Sequence, residues 1–142
     1  MKERYDNILV AIDGSPQAHQ AMMEAVEAAR RNNARLYLAQ IVNDSGLLVN
    51  SATPVSQIIS EEKKAACEAL EREAAAIDYY NKQIITAVGN PKRLIAFDLP
   101  KTYKIDLIYM GATGKGALER ILVGSTTTYV VNNALCNVMV VK

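Results

Sequence analysis

The amino-acid sequence predicts an α/β fold: an open, Rossmann-like sheet of five parallel strands in the order 3-2-1-4-5, with helices on both faces. Three observations lead there. Several apolar runs lack polar alternation, as strands covered on both faces do. Those runs alternate with stretches whose apolar residues recur at helical spacing, and such alternation implies a parallel sheet with right-handed crossovers. Two strand exits carry unusual chemistry, and the order 3-2-1-4-5 makes those strands neighbours at one crevice, whereas 2-1-3-4-5 would separate them.

The first strand is residues 5–13, with Ile8, Leu9, Val10, Ala11 and Ile12 in succession. Ser15 then offers an N-cap and Pro16 a first helical position, and Ala18, Ala21, Met22, Ala25, Val26 and Ala29 continue at helical spacing to Asn32 or Asn33. Residues 36–42 form the second strand. The connection 43–53 is long for a compact domain; with Leu47, Leu48 and Val49 inside it, it reads either as a binding loop that closes on something or as a plain insertion. A longer helix from Pro54 or Ser56 to Ile77 places Ile59, Ala66, Leu70 and Ala74 on one face and the charged residues 61–64 in solvent.

Residues 83–88 give the third strand, Gly89 and Asn90 a turn, and Pro91 the start of a third helix whose Leu94, Ile95 and Phe97 face inward. Pro100 should end or kink that helix near Asp98. Residues 105–110 are the fourth strand, 125–133 a helix and 137–141 the last strand. No internal repeat or low-complexity tract interrupts the alternation, so residues 1–142 are expected to form a single domain.

Composition excludes several classes. The 142 residues carry a formal charge of +1, so no overall field draws in nucleic acid or an anionic membrane. With 22% charged and 50% hydrophobic residues the chain is globular, and no apolar run approaches the roughly 18 residues that span a bilayer. The N-terminal stretch lacks a signal-peptide pattern. Two cysteines, Cys67 and Cys136, show no paired spacing and suit small core positions in a reducing cytoplasm.

In an open parallel sheet, ligands bind beyond the carboxyl ends of the strands. The first strand exits through Asp13-Gly14-Ser15 and the fourth through Met110-Gly111-Ala112-Thr113-Gly114-Lys115-Gly116. Gly111, Gly114, Gly116 and Gly124 are four of the seven glycines in the chain, and such crowding suits a backbone nest for phosphate. Gly124 precedes Ser125-Thr126-Thr127-Thr128 at a helix start, where free N–H groups and the positive dipole end attract anions. The P-loop pattern fails because Ala117 and Leu118 replace its Lys and Ser or Thr, and the dinucleotide fingerprint fails at Glu119.

The spacing that does match is G-x2-G-x9-G-[ST], carried by Gly111, Gly114, Gly124 and Ser125. With the Asp-Gly-Ser exit and the terminal Val-Met-Val-Val, the chain resembles the universal stress protein family in its nucleotide-binding branch along nearly its whole length. The long loop and the Asp98-Leu-Pro-Lys segment depart from that pattern. The resemblance implies that Asp13 meets the ribose or adenine end and that Ile41 uses its backbone to bind adenine. Gly111 and Gly114 would line the phosphate loop, Gly124, Ser125 and Thr126 would hold phosphates, and Met110 is counted with them among the nucleotide-binding residues. It further implies ATP as ligand, with Mg or Mn, and a homodimer formed through the last strand. The implied role is a cytoplasmic, nucleotide-dependent regulator or sensor in the stress response, with no catalytic residue assigned.

Plainer readings stand beside these. Asp-Gly-Ser is ordinary turn chemistry, Ser125 and Thr126 are helix caps, and Lys115 and Arg120 suit a solvated face as well as a phosphate. His19 has no carboxylate or cysteine partner in sequence and reads as a surface histidine. Two other functions compete: a slow ATPase or phosphotransferase in the same pocket, with Asp13 holding a metal, and a nucleotide-independent interaction module.

Overall fold

The computed structural model describes residues 3–45, 54–113 and 123–142. The connection 46–53 and the stretch 114–122, which includes Gly114, Lys115, Gly116 and Arg120, lie outside the described residues. Five strands pair in parallel in the order β3-β2-β1-β4-β5, as expected: β1 (Asn7–Ile12), β2 (Arg35–Asn43), β3 (Lys82–Gly89), β4 (Leu107–Gly111) and β5 (Asn137–Val141).

Side chains alternate between the two faces of the sheet and build two cores. On one face, Ile8, Val10, Leu36, Leu38 and Tyr109 pack against helices α1 (Pro16–Asn32) and α2 (Val55–Ala75). On the other, Leu9, Tyr37, Ala39, Ile108 and Met110 pack under the helical stretch 91–103 and α5 (Ser125–Asn133). Among the described residues, no helix is long and apolar enough to cross a membrane.

Helix α1 starts where the sequence places it. The Ser15 hydroxyl accepts from the Ala18 N–H at 3.1 Å, Pro16 fills the first turn, and Asn33 ends the helix in a left-handed conformation at φ 52°. Helix α2 buries Ala66, Leu70 and Ala74 beneath a solvated charged face.

The third helical stretch continues past Pro100 with a change of helix type ending at Asp98, and it corrects the expectation that Phe97 faces inward. An α-helix, α3 (Pro91–Arg93), passes into a π-helical turn, Leu94–Asp98, and then into α4 (Leu99–Tyr103). The Leu99 N–H donates to the Leu94 carbonyl, five residues back. In an α-helix the proline ring would meet the carbonyl of Ala96; the wider turn relieves that conflict and lets the helix continue. The added residue also rotates the face. Ile95 and Leu99 are buried, while Phe97 is 36% exposed and meets Tyr129 edge-on at 6.3 Å.

Candidate functional site

Unequal strand lengths open a cleft at the carboxyl end of the sheet. The register of β1 with β2 stops at Ile12 and Gln40, whereas β2 continues beside β3 as far as Asn43 and Gly89. Ile41 and Asn43 of β2 therefore stand beyond the last β1–β2 pair and line the cleft.

The β1 exit is shaped by its own turn. The Asp13 carboxylate accepts from the Ser15 N–H at 2.9 Å, and Gly14 takes φ +84°. Turn chemistry and a place in the cleft coincide at Asp13, since that turn sets the carboxylate on the cleft wall.

At the β4 exit, Gly111 serves packing as well as the cleft. A Cβ there would lie 2.8 Å from the Gln17 carbonyl carbon and 2.9 Å from the Ala18 nitrogen. Its missing side chain admits the first turn of α1, a different reason from the ligand approach that glycine crowding suggests. Beyond it, the Ala112 N–H donates to the Val141 carbonyl and the Gly124 N–H to the Ala112 carbonyl, each at 2.7 Å. The buried Thr127 hydroxyl donates to the Gly111 carbonyl at 2.9 Å. The first ties the end of β4 to β5, and the other two hold the start of α5 against it.

Helix α5 presents polar donors. Its first intrahelical bond is from the Thr128 N–H to the Gly124 carbonyl at 2.9 Å, so the N–H groups of Ser125, Thr126 and Thr127 have no acceptor within the helix. Gly124 has φ −63° and ψ 160°, an extended conformation open to any residue.

The resulting cavity is about 550 Å³, and Asp13, Ile41, Met110, Gly111, Gly124, Ser125 and Thr126 all line it. Gly114 lies outside the described residues. Sequence reasoning missed Ala11, Ala39, Asn43, Pro91, Ile95, Thr113 and Thr127, which line it too. Pro91 was within reach, since it follows the exit of β3. Ile95 was not, because the π-helical turn sets its position.

Among the described lining residues Asp13 is the one ionisable side chain, and polar groups elsewhere are neutral amides, hydroxyls and backbone N–H. His19 lies away from the cleft, in a groove between α1 and α2. Both cysteines are free and half-buried, and burial pushes the Cys136 thiol above its ordinary pKa.

Comparison with known proteins agrees with this architecture. A chain of Staphylococcus haemolyticus (strain JCSC1435), named as a universal stress protein, is 35% identical over 143 residues, covering 97% of this chain and 85% of its own. Universal stress protein UspA from Lactobacillus plantarum superposes with a TM-score of 0.84 at 37% identity, over 99% of this chain and 100% of that one. A universal stress protein solved in complex with cAMP shares the fold with a TM-score of 0.72 at 21% identity, over 99% of each chain. The model of the universal stress protein family matches residues 4–142, and the chain belongs to that family.

Proposed function

We propose that the cleft binds an adenine nucleotide, ATP with Mg or Mn, and that this single domain acts in the cytoplasm as a nucleotide-dependent regulator or sensor in the stress response. The observation that carries the reading is the convergence of the β1 exit, the β4 exit and the start of α5 on one cavity of about 550 Å³. Family membership supports it, as does a relative of the same fold in complex with cAMP, itself an adenine nucleotide.

Each group has a task that follows from its chemistry. The backbone of Ile41 to Asn43 meets the edge of the base, and Asp13 accepts from the ribose hydroxyls. The N–H groups of Ser125 to Thr127 and the hydroxyls of Ser125 and Thr126 donate to phosphate oxygens at the positive end of α5. Gly114 completes the phosphate loop in this proposal.

The donor set fits a bound divalent cation in a limited way. Among the described residues, no group of three or more His, Cys, Asp or Glu side chains converges, and Asp13 alone supplies a carboxylate to the cleft. Mg retains waters and binds one or two carboxylates together with phosphate oxygens, so it would be carried chiefly by the nucleotide. It would offset phosphate charge in a cleft whose described side chains include no cation.

Regulation would act through populations, because ATP shifts a conformational equilibrium only as far as it prefers one state. The edge strand β5, with Met139 46% exposed, would pair with a second copy to form a homodimer.

Calorimetric titration with Mg-ATP tests the reading. Saturable heat near one nucleotide per chain is expected, with intact ATP recovered by mass spectrometry. Folded protein that gives no saturable heat up to about millimolar ATP overturns it.

A further inference from the structure

The groove between α1 and α2 encloses about 580 Å³, a volume typical of small-molecule sites, and shares no lining residue with the nucleotide cleft. Its floor is apolar: Met22, Val26 and Ile77 are buried parts of the core beneath. Met23, 48% exposed, lines it from α1 one helical turn before Val26 and Glu27. Flexible thioethers adapt readily to an unbranched chain.

The charged lining is unevenly committed. Arg30 lies 3.4 Å from the Glu27 carboxylate, donates to the Asp78 carbonyl and sits over the Tyr79 ring. Arg72 and Asp78 are exposed to solvent. Glu73 differs from all of these. It is half-buried, and its Oε2 is buried without a hydrogen-bond partner among the described residues. A carboxylate oxygen taken out of water with no donor is costly, so the groove carries an acceptor that a ligand can satisfy.

We propose that this groove binds a small amphiphilic amine, whose alkyl body lies over Met22, Met23, Val26 and Ile77 and whose ammonium donates to the Glu73 carboxylate. The terminal torsion of a glutamate is soft, so a small rotation brings the oxygen to the ligand. Three carboxylates against two guanidiniums in the lining favour a cationic head over an anionic one.

Calorimetry with n-octylammonium chloride tests the proposal, with octanoate as the probe of equal length and opposite charge. Octylammonium should saturate near one per chain below about 10 mM and bind at least tenfold tighter than octanoate. Shortening the chain to hexyl and butyl should weaken it by up to about fourfold per methylene lost. Glu73→Gln should weaken octylammonium about tenfold or more and leave octanoate unchanged. Its thermal midpoint without ligand should not fall, since the carboxylate oxygen it replaces has no partner. Met23→Lys, at an exposed helical position, keeps the fold and should also weaken octylammonium by setting a like charge beside it.

Heat that never saturates overturns the proposal, as does octanoate that binds equally well or full octylammonium affinity in Glu73→Gln. Displacement of octylammonium by Mg-ATP would place the amine in the cleft at the strand ends and overturn it too.

Discussion

The Thr127 hydroxyl donates to the main-chain carbonyl of Gly111 at 2.9 Å, with both residues buried, and ties the first turn of α5 to the exit of β4. The two residues belong to the two segments proposed to hold phosphate. Their bond fixes how far apart those segments stand.

Thr127→Val keeps the shape of the side chain and removes its donor, leaving a buried carbonyl without that partner. Urea denaturation should show a loss of about 1–3 kcal/mol. Thr127→Ser, which keeps the hydroxyl, should recover most of it. ATP should bind more weakly to the valine variant, because the N–H groups of α5 would no longer be held in place.

Gly111→Ala should cost about 1–3 kcal/mol, since its new methyl would sit 2.8 Å from Gln17 and one of them must move. Gly14 offers a contrast. A methyl group at Gly14 would meet nothing within 4 Å, but the φ of +84° there is left-handed. Gly14→Ala should therefore cost roughly 1 kcal/mol through backbone strain, and Gly14→Asn less. Equal costs for alanine and asparagine at residue 14 would count against strain as the cause.

These glycines show where sequence reading reaches its limit. The strand exits were legible because apolar runs ending in Asp13-Gly14-Ser15 and Met110-Gly111 are local patterns, and the strand order followed from asking that both face one crevice. The reason for Gly111 was not legible, because it depends on α1 crossing β4, a contact between residues far apart in the chain. The π-helical turn is a compromise between Pro100 and the packing of Leu94, Ile95 and Leu99, and no single residue announces it. Ala11 and Ala39 come side by side only once β1 and β2 are in register.

Stability should fall at alkaline pH through Tyr79. Its buried hydroxyl donates to the carbonyls of Ala34 and Ala29, at 2.5 and 3.3 Å. Burial pushes its pKa above the ordinary 10.0, Tyr80 adds to the rise, and the Arg30 guanidinium opposes it. The folded chain thus holds this proton more tightly than the unfolded chain does. Its contribution is complete below the ordinary value of 10.0 and is lost as pH climbs through the raised native value. Urea midpoints measured from about pH 8 to 11 should decline over that range. Tyr79→Phe should be less stable near neutrality and decline less steeply. Tyr109 and Cys136, both raised chiefly by burial, keep some slope in that variant.

Gly124→Val separates nucleotide binding from folding. Gly124 lines the cleft and adopts φ −63° and ψ 160°, backbone angles that valine accepts. Without ligand, its thermal midpoint should stay close to that of the wild type. A ligand that binds only the folded state adds stability by mass action, about 2.7 kcal/mol at a hundred times its Kd. Mg-ATP should therefore raise the wild-type midpoint steadily with concentration and leave the Gly124→Val midpoint where it began. A variant that gains as much from ATP as the wild type would move the phosphates away from α5 and leave Gly124 a bystander.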